Sequence, residues 1–235
     1  MEERNLELMP RREETREKDT GNTNVIKFRL DEIESHYNEN LEYIIAQFRI
    51  ADELVQDERI EDARNVWRSQ IVFLESAFDF YLHELTKYGL SEMFTGNWDK
   101  TEKYSNLSVK MSIVDTALNA REDTEWFLDF VNSFFRETTM MSFKSVKDQM
   151  NLLGIEIQHI ADVVFYDSNS RVKTKDRLEE CLDDLYKIRN IIAHQSGRRH
   201  SDAQREDVTK GMVEQHIEEI SSIVQTIQEC AKLKG

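Results

Sequence analysis

The sequence predicts an all-α protein, an antiparallel helical bundle, and three observations carry that reading. One Pro and seven Gly in 235 residues leave little turn chemistry for a many-stranded sheet. Glu, Lys, Arg, Leu and Ile are abundant, and these residues favour helix. Apolar residues recur every three or four positions along most of the chain, the spacing of one helix face. A chain of this length buries a good core as one domain, or at most two small ones. With no internal repeat in view, the reading is a charged flexible arm at 1–23 and one helical domain at 24–235.

Composition also bounds function. A net charge of -15 argues against a protein that coats nucleic acid along its whole surface, because such binding is driven by neutralising phosphates. A local basic site stays open. The two cysteines, Cys181 and Cys230, fall on predicted helices without metal-ligand spacing, so they read as buried, reduced thiols of a cytoplasmic protein with no metal or cofactor. No apolar run approaches the roughly 20 residues that span a bilayer. Glu and Arg from the second residue onward predict no signal peptide and no membrane partner.

Taken in order, residues 1–23 carry only Leu6, Leu8 and Met9 as apolar anchors around the sole Pro10. Too little apolar surface is available there to offset the entropy of ordering. From Val25, the series Ile26, Leu30, Ile33, Tyr37, Leu41, Ile44, Phe48 and Ala51 predicts a long helix to about Gln56. A second stripe runs from Ile60 through Trp67, Ile71, Leu74, Phe78 and Leu82 to Leu85, with Gly89 as its expected C-cap. The short polar link at Asp57-Glu58 favours an antiparallel pair over one kinked helix. Within the second stripe, Glu75, Asp79 and His83 share a face, which reads as an interhelical hydrogen-bonding stripe in preference to a metal site.

Residues 90–165 read as a helical insertion. An irregular, aromatic-pinned connection to about 106 precedes helices at 107–120, 124–135, 144–153 and 155–165, the last two separated by Gly154. Trp126, Phe127, Phe130, Phe134 and Phe135 read as core or interface instead of a base-stacking platform. A further helix is expected from Lys173-Thr174 to Ser196 on the stripe Leu178, Cys181, Leu182, Leu185, Ile188 and Ile192. Carboxylates occupy its early turns and cations its late ones, as the macrodipole favours. Thr209 then caps a last helix carrying Met212, Val213, Ile217, Ile220, Val224 and Ile227.

The end of the 173–196 helix is the stretch that can do chemistry. Lys187, Arg189, Asn190, His194, Arg198, Arg199 and His200 gather there around Gly197. Imidazole exchanges protons near neutral pH, and guanidinium presents forked donors matched to phosphate oxygens. Ordinary C-capping, with cations in the last turn and Gly at C′, accounts for the same residue types. The order Arg189-Asn190-x-x-x-His194, followed by Gly197-Arg198-Arg199, resembles the R-N-x-x-x-H signature of the HEPN superfamily of RNA-cleaving helical domains. The segment Phe73 to Leu85 also resembles the second helix of that superfamily, in which an acidic residue followed by aromatics packs beneath the active helix.

The resemblance implies a four-helix core, an obligate homodimer and a composite site. Geometry agrees that one helix is not enough: five residues at about 100° each put Arg189 and His194 about 140° apart around the axis. Two chains meeting on a two-fold axis would bring both pairs into one cleft. The implied chemistry is metal-independent RNA cleavage by the ribose 2′-hydroxyl, without cofactor. His194 would be the general base or acid and Arg189 the stabiliser of charge on the transition state. Asn190 would orient His194 or bind a phosphate oxygen; Arg198, Arg199, Lys187 and, more weakly, His200 would bind RNA. A toxin or anti-phage defence role, or RNA processing under stress, goes with the resemblance, as does an antitoxin or other defence partner. Two other readings remain: a non-catalytic helical dimer that binds nucleotide or protein, and a bundle in which Arg189 pairs with Glu75 or Asp79 and His194 merely caps.

Overall fold

The computed structural model describes residues 26–119, 125–135, 138–195, 205 and 207–235. The arm expected at 1–23 lies outside them. The described residues form nine helices and no strand, an all-α bundle.

Helix α1 (Leu30–Gln56) opens where the Glu32 carboxylate accepts from the Arg29 backbone N–H at 2.7 Å. It buries Ile33, Tyr37, Ile44 and Ala51. Glu58, at φ 59°, supplies the left-handed residue that turns the chain. Helix α2 (Ile60–Thr95) then runs back along α1. Three pairings fix the antiparallel register: Lys27 on Glu92 at 2.7 Å, the Tyr37 ring edge-on to Tyr81 at 5.8 Å, and Gln70 Nε2 donating to the Ile44 carbonyl at 2.8 Å.

Gly89 does not end α2. The helix continues to Thr95, and Gly96, at φ 85°, makes the left-handed cap. A Cβ on Gly89 would stand 2.6 Å from Leu153 Cδ2 and 2.7 Å from Trp98 Cζ3. Its missing side chain therefore serves a close approach, with the buried Trp98 folded back over the helix. Leu90 to Thr95, expected as irregular connection, belong to α2 and bury Leu90 and Met93.

Short helices follow: α3 (Glu102–Ser105), which periodicity is too short to reveal, α4 (Met111–Asn119) and α5 (Glu125–Phe135). The start expected at Thr124 lies outside the described residues. Helix α6 (Phe143–Leu153) is capped by Ser142, whose hydroxyl accepts from Ser145 N, and ended by Gly154 at φ 68°. Helix α7 (Ile157–Phe165) leads to α8 (Thr174–Gln195) and α9 (Lys210–Lys232). Thr209 caps α9 by accepting from Met212 N at 3.3 Å.

The core is organised on α2, which packs against α1, α5, α6, α8 and α9. Helix α9 lies antiparallel to α1, with Lys210 on Asp52 at 2.9 Å at one end and Lys232 on Glu34 at 2.7 Å at the other. Between them Gln228 donates to the Leu30 carbonyl at 2.7 Å and accepts from the Tyr81 hydroxyl at 3.0 Å, joining three helices through one buried amide. Helix α7 packs on both α8 and α9. A single buried cluster takes in α1, α2, α8 and α9 together with Phe127, Phe130, Val146, Met150, Ile160 and Phe165 from the 90–165 stretch. Among the described residues, no helix is long and apolar enough to cross a membrane.

Candidate functional site

Helix α8 inserts Leu178, Cys181, Leu182 and Leu185 into the core and leaves Ile188 and Ile192 half-buried. The stripe therefore loosens toward the C-terminal end. That change brings Arg189 and Asn190 onto a half-buried flank facing α2. Lys187 and His194 are exposed, and Arg198, Arg199 and His200 lie outside the described residues.

Arg189 has an acidic floor. Its Nε lies 2.7 Å from Glu75 Oε2, with the Glu75 side chain 1% exposed and that of Arg189 22%. Neither Glu75 oxygen receives a well-directed hydrogen bond among the described residues, so the attraction is ionic in character. On its other edge, Arg189 Nη1 donates to Asn190 Oδ1 at 3.1 Å. Burial is the first cause that pushes the Glu75 carboxyl up to about 8, opposed by Arg189 and reinforced by Asp79. The Glu75 carboxyl therefore takes up a proton more readily than an ordinary glutamate, and its compensation of the guanidinium weakens as pH falls. A guanidinium supported by a neutral acid is an anion-binding group; one supported by a carboxylate is half of a salt bridge.

Beside Arg189 opens a cleft of about 390 Å³, walled by α2 through Asp79, His83 and Lys87 and by α5 through Asn132 and Phe135. Of the stripe Glu75, Asp79 and His83, expected to hydrogen-bond between helices, only Glu75 meets another helix among the described residues, and it does so by an ion pair; Asp79 and His83 bond to the link between α5 and α6. Glu75 meets Arg189, Asp79 Oδ1 accepts from Met140 N at 2.7 Å, and His83 Nε2 donates to the Thr138 carbonyl at 2.8 Å. His83 Nε2 also lies 3.7 Å from Asp79 Oδ2, while Glu75 turns to Arg189 and does not join them. Sequence reasoning did not single out Glu84 and Lys87, an i,i+3 pair at 2.8 Å that is buried on the same wall. Their spacing is the only local signal, and many exposed pairs share it.

The aromatic residues of α5 pack inward except Phe134, which is 46% exposed. Phe127 stacks on Phe94 at 4.2 Å and 9°, and Trp126 meets Phe94 edge-on at 5.3 Å. Phe127, Phe130 and Phe135 are buried, and α5 forms one wall of the cleft through Val131, Asn132 and Phe135.

Within one chain, then, the helix end brings together Arg189, Asn190 and Glu75, while His194 is exposed a turn further on. Compared with family models, curated proteins and solved structures, the chain matches none.

Proposed function

We propose that this protein is a metal-independent endoribonuclease of HEPN type, acting as a homodimer whose two α8 ends form a composite site. The observation that carries the reading is the setting of Arg189. Its Nε rests on a buried acid and its Nη1 on Asn190, at the edge of a cleft large enough to admit a nucleotide-sized group. A guanidinium fixed on two sides is oriented before substrate arrives, which is what electrostatic stabilisation of a transition state requires. Among the described residues Nη2 has no acceptor, and a non-bridging phosphate oxygen would be its partner.

In this mechanism the ribose 2′-hydroxyl attacks the adjacent phosphorus. His194 takes or returns the proton, Arg189 stabilises the charge gathering on the phosphorane, and Asn190 holds the guanidinium. Lys187, Arg198, Arg199 and His200 bind flanking RNA. His194 of one chain works with Arg189 of the other, since about 140° separates them on a single helix. Cleavage leaves a 2′,3′-cyclic phosphate and a 5′-hydroxyl. The biological setting of the reading is a toxin or defence effector with a cognate regulator.

A second reading draws on the same ion pair: a non-catalytic helical module in which Glu75 and Arg189 serve to join α2 and α8. One experiment separates them. Pure protein is incubated with total RNA and with single-stranded DNA, with and without chelator, beside His194→Ala. Cleavage of RNA alone, indifferent to chelator and reduced about 10²- to 10⁴-fold in the variant, is expected. His194 is exposed, so the variant keeps its fold. RNA left intact by the wild-type chain at every protein concentration would favour the second reading.

A further inference from the structure

Away from the cleft, α8 and α9 bring a thiol, an imidazole and a carboxylate together. Cys181 Sγ donates to Glu219 Oε2 at 3.2 Å, and His216, one turn before Glu219, sets Nδ1 3.9 Å from the same oxygen. The three ligand atoms all lie within 4.8 Å of one another. His216 is only 8% exposed, yet its Nδ1 has no hydrogen-bond partner. Buried ring nitrogens are normally paired, and a bare one beside a carboxylate and a thiol that can lose its proton suits a cation.

The surroundings favour that cation. Gln215 Nε2 donates to Glu219 Oε1 at 2.9 Å, which turns Oε2 toward Cys181 and His216. Asp184, one turn beyond Cys181, lines the same cleft of about 270 Å³, as does Glu180. Cys181-x-x-Asp184 on one helix thus faces His216-x-x-Glu219 on the other. Arg177 also lines the cleft and is held against Phe165, another lining residue. Its Nη1 donates to the Phe165 carbonyl at 2.7 Å and its guanidinium lies over the Phe165 ring. A tetrahedral zinc ion with bonds of about 2.0–2.3 Å needs donors roughly 3.4–3.6 Å apart. The observed 3.2 and 3.9 Å bracket that spacing, and the third pair, Cys181 and His216, lies within 4.8 Å.

We propose that Cys181, His216 and Glu219 bind one Zn²⁺ ion, with Asp184 or water as the fourth ligand. A thiolate and an imidazole select zinc over magnesium or calcium. Cys181 gives up its Sγ proton as the sulfur–zinc bond forms, so one proton leaves per ion bound. Eight residues of α8, about 12 Å at 1.5 Å each, separate Cys181 from Arg189. The ion clamps α8 to α9 and takes no part in the cleft, so chelator would lower stability and leave RNA chemistry unchanged.

The test titrates chelator-treated full-length chain with Co²⁺ as a spectroscopic probe, then displaces it with Zn²⁺. A thiolate-to-cobalt charge-transfer band with tetrahedral visible bands, saturating at one ion per chain and bleached by Zn²⁺, is expected. Cys181→Ser removes the charge-transfer band, His216→Gln weakens binding at least tenfold, and Cys230→Ser changes neither. Should a ligand variant fail to fold, the wild-type spectrum still decides, read with protection of the Cys181 thiol from alkylation by Zn²⁺. A wild-type chain with no charge-transfer band, or a band that survives in Cys181→Ser and is lost in Cys230→Ser, overturns the proposal.

Discussion

Glu75 and Arg189 make the contact on which the α2–α8 packing and the proposed function both rest. Glu75 titrates at about 8 in the fold, against about 4.3 for an unperturbed glutamate. The folded state therefore binds the extra proton, and stability is full below about pH 4.3 and falls as pH rises through about 8. Melting temperature followed from pH 5 to pH 9 should decline in the wild type and run flatter in Glu75→Gln. Arg189→Ala removes the favourable partner, so its penalty is small in mild acid and grows to about 3 kcal/mol at alkaline pH, where a bare carboxylate is left buried. A loss in Arg189→Ala that is equal at all pH values would show that Glu75 is not the group responsible. The sequence offered Glu75 and Asp79 as carboxylates of the second helix that could pair with Arg189. It did not choose between them, because the choice rests on Met140 N taking Asp79 from another part of the chain.

At the scale of single elements, features set by near neighbours were legible and features set by distant ones were not. Thr209 as a cap, Gly154 as a break and the apolar stripes of α8, α9 and, from Leu30 on, α1 follow from residues within a turn or two; Ile26, expected in the α1 stripe, precedes the helix and is 60% exposed. Gly89 did not, because a glycine late in a helical stripe reads as a terminus unless one knows that Trp98 and Leu153 press on it. Gly89→Ala is accordingly expected to destabilise by about 1–3 kcal/mol through overpacking, although Ala is the better helix former by about 1 kcal/mol. Gly211→Ala, with open space at its Cβ, is the control and should be neutral or stabilising. Chemical denaturation of both variants measures the difference. Equal stability of the two would contradict the close packing at Trp98.

The whole molecule reads as all-α from composition alone, since scarce Pro and Gly and the 3.6 period act everywhere at once. Oligomeric state is the property on which the proposed mechanism depends at this scale. Sedimentation at micromolar concentration should give a dimer, and mixing His194→Ala with Arg189→Ala chains should restore part of the cleavage that each lacks, because one mixed site keeps both groups. A strict monomer, or no recovery on mixing, would remove the composite site. Cleavage should also fall steeply with added salt, because a small cationic patch must hold RNA against a chain of net charge -15.

Gln228 ties Leu30 and Tyr81 across a sequence separation of 198 residues from Leu30. During synthesis at about 5–20 residues per second, that bond waits on the order of 10–40 s after α1 has been made. For that interval the buried faces of α1 and α2 lack the helix that covers them, and Ile33, Tyr37 and Tyr81 are open to other chains. The nascent protein should therefore depend on holdase chaperones at the ribosome, and a stop codon placed before Lys210 should yield an aggregating fragment in place of a shorter soluble bundle.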